Sequence, residues 1–248
     1  MRRQVSVRDT EELARQRALL IALSDDLALP LMQIKSSLEL MGKGRPSPKT
    51  YQSRLLALGL SANDGLQLID AYRLALRLED PSSLPLEPVA MGAVLQDVAH
   101  QLSPYAKQYD TNLEIDIQGR LTPVLAHRPS LIAALQCLSA SLIRAQAAQS
   151  KQKSYRLMLA AHRSSGSVIS AGAFSSVHGL SDRTLRSARS LVGRARQPLP
   201  ALPAGAASGV LIADMLCTAM WQPLRSAAHH NMSGLTTAVP ISKQLQFM

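Results

Sequence analysis

The sequence predicts an α+β chain in which a long helical hairpin, paired with a second copy as a four-helix bundle, is followed by an α/β sandwich. Three observations predict it. Apolar residues recur at every seventh position through residues 10–41 and again through 48–78. A Pro-, Ser- and Glu-rich stretch then breaks the pattern at 79–88. Beyond it, helix-period runs take turns with two-residue alternation, the mark of strands and helices folding together. Of the 248 residues 46% are apolar but only 3% aromatic, so the core rests on Leu, Ala, Val, Ile and Met, a helix-leaning set.

The first helix is expected over 10–41. Asp9 with Glu12 three residues on resembles a capping box. Leu13, Leu20, Leu27, Ile34 and Met41 form a seven-residue seam, with Leu23, Leu31 and Leu38 beside it. Pro30 sits inside the seam and is expected to kink the helix, because it removes a backbone hydrogen bond. The run from Gly42 to Pro48 ends the pattern. Ser47 can cap a second helix, with Pro48 at its first position. That helix runs to about Leu78, with Leu55, Ala62, Ile69 and Leu76 at seven-residue spacing and Tyr51, Leu58 and Tyr72 in support. One hairpin cannot cover such seams alone, so a homodimer is expected.

Domain boundaries follow at 1–80 for the hairpin, 81–90 for a linker and 91–248 for the second domain. In that domain Val94 to Leu102 suggests a helix, and Leu113, Ile115 and Ile117 a strand. Val124 and Leu125 suggest a second strand, and Leu131 to Leu142 a helix. Residues 155–159 and 168–174 read as a hairpin, Ser181 as the cap of a short basic helix over 182–193, and 208–221 as a helix. Two strands close the chain near 224–229 and 234–240. The sheet is expected to be mostly antiparallel, with its helices on one face.

Hairpin, linker and α/β domain in this order resemble the dimerisation and ATP-binding core of bacterial sensor histidine kinases, over roughly residues 10–241. The best motif is Leu23-Ser24-Asp25-Asp26-Leu27-Ala28-Leu29-Pro30-Leu31, set against the family's Ser-His-Glu-Leu-Arg-Thr-Pro-Leu. Ser24, Leu27, Pro30 and Leu31 match, Asp26 stands for the Glu, and Asp25 takes the place of the phosphoacceptor histidine. The closing run Gly234 to Ile241 also looks like the family's last strand. The resemblance implies a histidine-kinase-like ATPase fold for the second domain.

The chemical positions depart from the family. Cys137 and Ser141 stand where its two asparagines would be, the second of which holds magnesium. Its Asp-x-Gly-x-Gly loop is reduced to Ser175 through Leu180, with only Gly179 surviving. Its phosphate-cradling Gly-Leu-Gly-Leu reads Ala207-Ser208-Gly209-Val210, where side chains crowd a place that needs close backbone approach. An aspartate has no nucleophilic nitrogen and cannot form a phosphoramidate. No catalytic residue, nucleotide or other cofactor, or metal site is therefore expected, and the chain reads as a kinase-like adaptor. Its alternative is a divergent phosphotransfer enzyme with residual ATP binding.

The implied partner is a response regulator or a true kinase, docking near Ile34, Lys35 and Leu38. Asp25 and Asp26 also read as ordinary solvated helix charges. The net charge is +10, and residues 151–248 carry +9 of it. Arg183, Arg186 and Arg189 share a helix face in the stretch that corresponds to the family's ATP lid, either as a solvated surface or as an anion site. Nucleic acid is a third possible partner, weakened by the lack of aromatic residues among these arginines. The six histidines are scattered, and His229-His230 reads as a strand end. Cys137 and Cys217 read as buried thiols of a reducing cytosol. Neither the charged start nor the apolar stretch near 210–221, which carries Asp214, looks able to span a bilayer.

Overall fold

The computed structural model describes residues 7–42, 47–77, 84–149, 154–176, 182, 185 and 206–243. α1 (Val7–Gly42) and α2 (Pro48–Arg77) form the hairpin. α1 begins at Val7, so Asp9 lies inside the helix rather than before it. It runs on through Pro30, whose ring is buried. Gly65 of α2 lies opposite, where a methyl group would touch Leu27 and Pro30 at 3.6–4.0 Å. The interrupted hydrogen-bond ladder thus falls where side-chain packing holds the helix. Ser61, buried on α2, donates to Gln33 Oε1 at 3.0 Å, and Arg54 donates to the Leu40 carbonyl at 2.6 Å. The second helix starts as its sequence requires, with Thr50 N–H donating to Ser47 Oγ at 3.3 Å.

Beyond the hairpin come β1 (Glu87–Val89), α3 (Met91–Gln108), β2 (Thr111–Gln118), β3 (Val124–Ala126) and α4 (Arg128–Gln149). Then follow β4 (Tyr155–Ser165), β5 (Val168–Ser175), α5 (Ala206–Ala219), β6 (Arg225–His229) and β7 (Met232–Pro240). β1 occupies part of the expected linker, pairing antiparallel with β3 from Glu87–Ala126 to Val89–Val124. A three-residue strand that contains Pro88 shows no alternation to read, and a proline fits such an edge. The main sheet has the order β2-β4-β5-β7-β6, with β2 and β4 parallel and the other pairs antiparallel.

The pleat sorts the side chains. Leu157, Leu159, Ala161, Ile169, Ala171 and Ala173 face the helices and join one core with Val94, Leu95, Leu135, Leu138 and Leu216. Leu68, Ala71, Tyr72 and Ala75 of α2 belong to the same core, so the lower hairpin packs on the α/β body. The other face carries a small cluster of Met158, Ala160 and Phe174, covered by Ala227 and Met232. The stretch Arg128–Ala147 is long and apolar enough to cross a bilayer, and 72% of it is buried here. α4 is apolar all round because it touches the sheet, α3, α5 and α2. The apolar helix Gly209–Ala219, in the stretch singled out near 210–221, is shorter.

Candidate functional site

Ser24, Asp25, Asp26 and Pro30 all lie on α1, as the resemblance requires. Ser24 Oγ donates back to the Leu20 carbonyl at 2.9 Å. The side chains of Asp25 and Asp26 lie outside the described residues. Lower on α1, Ile34 is half-buried, Leu38 is exposed, and Lys35 reaches Glu39 at 3.9 Å. The three therefore share one accessible stretch of the helix.

The structure brings Cys137, Ser141 and Gly209 together, at the crossing of α4 and α5. A methyl group on Gly209 would collide with Ser141 Oγ and lie 3.0 Å from the Cys137 carbonyl. Here the glycine lets two helices close on each other. Ser141 is fully buried, and its hydroxyl makes no hydrogen bond among the described residues. Ser175 is fully buried at the end of β5, aligned with Leu157 on one side and Ser233 on the other. Gly179, Arg183, Arg186 and Arg189 lie outside the described residues. Of their neighbours, Leu185 is buried in the core and Asp182 Oδ1 accepts the Ser226 N–H at 2.6 Å. An open groove of about 340 Å³ lies elsewhere, between α3 and β2, lined by Gln96, Ala99, His100, Ser103, Leu113 and Ile115.

Asp214, noted in the sequence only as a charge within an apolar stretch, is a buried acid. Its Oδ1 accepts the Leu224 N–H at 3.0 Å, fixing the turn from α5 into β6. Burial pushes the nearby Cys217 thiol up to about 12, with Asp214 adding to the effect and a hydrogen bond with Thr237 opposing it. Cys217 is thus an inert core thiol, as expected of a buried cysteine. Burial holds His127, just before α4, below the usual imidazole range, while Glu87 pulls the other way.

On the outer face of the sheet, His229 and His230 turn onto one carboxylate. Their Nε2 atoms lie 2.8 Å and 3.2 Å from Asp116 Oδ2. Asp116 is held below the usual carboxylate range, first by the His229 hydrogen bond, which outweighs the opposing desolvation that comes next, and then by the hydrogen bonds of Gln118 and His230. His229 also stacks on His162 and tilts against Phe174. The pair is the strand end that was expected, with His229 closing β6 and His230 opening the turn, and to this the structure adds a shared partner. The adjacent pair of histidines was visible in the sequence, but their partner lies 113 residues away, where no spacing rule reaches.

No family model and no curated protein matches the chain. Solved structures do. The histidine kinase AdeS of Acinetobacter baumannii is 15% identical over 87% of this chain and 97% of its own, with a TM-score of 0.52. ThkA, a histidine kinase solved in complex with the response regulator protein TrrA, is 12% identical over 95% of this chain and 67% of its own, with a TM-score of 0.52. The fold is that of a histidine-kinase core. Full-length ShkA, solved with AMPPNP, has the same TM-score at 13% identity; the match covers 93% of this chain and 45% of ShkA. The sequence resemblance sets the family's motifs against Ser24–Pro30 and against the residues that meet at the crossing of α4 and α5.

Proposed function

We propose that this chain is a catalytically inactive histidine-kinase-like adaptor of bacterial two-component signalling. It acts in the cytosol, dimerises through residues 1–80 as a four-helix bundle, and docks a response regulator or a kinase. Residues 81–90 link that part to a degenerate ATPase-type domain, 91–248. The observation that carries this reading is the α4–α5 crossing. Where kinase cores place a magnesium-holding asparagine and a phosphate-cradling glycine loop, Ser141 and Gly209 are pressed together. With its Cα face closed against Ser141, Gly209 lacks the open approach that a phosphate cradle needs.

The partner reading has its own support. ThkA binds a response regulator, and a receiver's phosphorylation site is a cluster of carboxylates, to which the arginines at 183, 186 and 189 are complementary. The docking face on the bundle is the stretch of Ile34, Lys35 and Leu38, below Asp25. Asp25 presents a permanent negative charge where a kinase carries its phosphohistidine. A second reading, an enzyme with residual ATP binding, is favoured by the likeness to ShkA, which was solved with AMPPNP.

Calorimetry separates the two. The adaptor reading expects no saturable heat with Mg-ATP up to about millimolar, the weak end of the affinity scale. A low-micromolar dissociation constant would overturn it in favour of the enzyme. Co-purification of a response regulator or kinase on the tagged chain, weakened by the triple change of Arg183, Arg186 and Arg189 to Glu, tests the partner.

A further inference from the structure

We propose that Asp116, His229 and His230 form a binding site for a divalent transition metal of the zinc, cobalt and nickel class. Two imidazole nitrogens and one carboxylate oxygen make up a borderline-soft donor set. It suits these ions and differs from the all-oxygen shells of magnesium or calcium. The three donor atoms all lie within 4.8 Å of one another. Bonds of 2.0–2.1 Å in a tetrahedron put ligand atoms about 3.3 Å apart. The observed 2.8 Å and 3.2 Å fall short of that spacing by about half an ångström and about a tenth, so a small outward shift of His229 would seat an ion. A metal ion would take the place now filled by the imidazole protons.

The fold brings these residues together by two separate devices. Asp116 is on β2 and His229 on β6, the two outer edges of the sheet. In a flat sheet, four strand spacings would hold them about 19 Å apart. The contacts of His229 and His230 with Asp116 require the outer face to curl until the edges meet, and Gly172 of β5 and Gly234 of β7 leave room for that curl. A methyl group on either would collide with the neighbouring strand, at the Leu235 and Ala173 carbonyls respectively. Without side chains there, the strands coil and the β6–β7 turn folds across the outer face. The second device is the turn itself. Consecutive strand residues point to opposite faces, yet His229 and His230 converge. His230 has φ +45° and Asn231 φ +61°, the left-handed pair that a two-residue hairpin turn demands. Glycine is the easier occupant of such a position, so a histidine there bears strain, set against its contacts with Asp116 and with the edge of the His229 ring.

The rest of the site fits an ion. Gln118 Nε2 donates to Asp116 Oδ2 at 3.1 Å and orients the carboxylate from outside. The His229 side chain is nearly buried between His162 and Phe174, while His230 is open to solvent and gives access. Three protein ligands leave a fourth position for water or a partner's side chain. The bound ion would fasten the two edges of the sheet to each other. The site stands apart from the α4–α5 crossing and does not depend on the adaptor reading.

The test uses the full chain, stripped with chelator and titrated with Zn2+ and Co2+. One equivalent of Zn2+ should bind saturably and raise Tm, and Co2+ should give the visible bands of tetrahedral coordination. His230→Gly removes a ligand and at the same time relieves the turn. It should weaken Zn2+ binding by more than about a hundredfold, beyond the usual effect of an outer-shell loss. The Tm of the metal-free protein should not fall. Asp116→Asn should weaken binding similarly, and Gln118→Ala by about tenfold. Absence of saturable binding at 100-fold excess Zn2+ over about micromolar protein would overturn the proposal. So would Zn2+ affinity kept within twofold in the His229→Gln, His230→Gly double variant, which would put the ion elsewhere.

Discussion

On the hairpin, Leu31, Met32, Leu56 and Leu66 are 59–71% exposed, whereas on α4 Leu131, Leu135, Leu138 and Leu142 are at 2% or less. Both regions are built of the same residue type at helical spacing. The difference lies in what surrounds them. α4 has a sheet on one side and helices on the others, while among the described residues α1 and α2 face chiefly each other and meet the core through Leu23, Leu27 and the stretch from Leu68 on. Fully burying one such side chain stabilises a protein by about 1.5–3 kcal/mol, so the hairpin leaves a large favourable term unused in the single chain. An apolar face of this extent marks an interaction surface. The α/β body, by contrast, buries its helix crossing, where Ser141 and Gly209 are in contact.

The sharpest way to break the comparison is at its border. Tyr72 sits on the hairpin but is fully buried in the common core. Tyr72→Ala should cost about 3–5 kcal/mol in denaturant unfolding, the range for large aromatic truncations. A loss below about 1 kcal/mol would mean that hairpin and body are energetically separate. The exposed residues should behave in the opposite way. Leu31→Glu with Leu56→Glu should leave the monomer's stability nearly unchanged but abolish the dimer in analytical ultracentrifugation, because a bundle would bury both charges unpaired. A wild-type chain that sediments as a monomer at micromolar concentration sinks the four-helix bundle.

The helix crossing allows a finer test. Gly209→Ala places a methyl group against Ser141 Oγ and should cost about 1–3 kcal/mol, the usual range for overpacking. Adding Ser141→Ala removes the colliding oxygen and leaves the 3.0 Å contact with the Cys137 carbonyl, so about half the loss should return. Ser141→Ala alone should be neutral or stabilising, since the hydroxyl it deletes is buried without a partner among the described residues. If Gly209→Ala is silent, α4 and α5 are not tightly closed, and the case against nucleotide binding weakens with them.

Elements with a strong period were readable in advance. The hairpin, the Ser47–Pro48 helix start, the β4–β5 hairpin and the closing strands stand within a few residues of where patterning puts them. β1 was not readable, because three residues around Pro88 carry no period and its partner strand lies 37 residues on. The candidate sites divide in the same manner. Ser24, Asp26 and Pro30 are legible through a contiguous motif. The closure of Ser141 on Gly209 joins residues 68 positions apart, and only packing reveals it. His229 and His230 are legible only as a strand end. That both rings meet Asp116 depends on the left-handed backbone at His230 and on a strand 113 residues away.

The smallest expected effect concerns the start of α4, where body and hairpin differ in how a helix is capped. α2 uses Ser47, which does not titrate in the physiological range. α4 follows His127, whose carbonyl accepts the Leu131 N–H at 3.0 Å and whose Nδ1 lies 2.7 Å from the fully buried Ser130 Oγ. Protonation would remove the ring's lone pair there and set a positive charge at the positive end of the helix dipole. Burial already holds the group below its ordinary value of 6.5. Above pH 6.5 both folded and unfolded chains carry neutral His127, and it adds no pH dependence. As the pH falls through 6.5 the unfolded chain takes up the proton first, so stability declines until the lower folded value is passed. Tm should therefore drop between pH 7.5 and 5.5, and His127→Asn, which caps without titrating, should flatten part of that slope. Identical slopes for the variant and the wild-type chain would show that the cap is not what senses the proton.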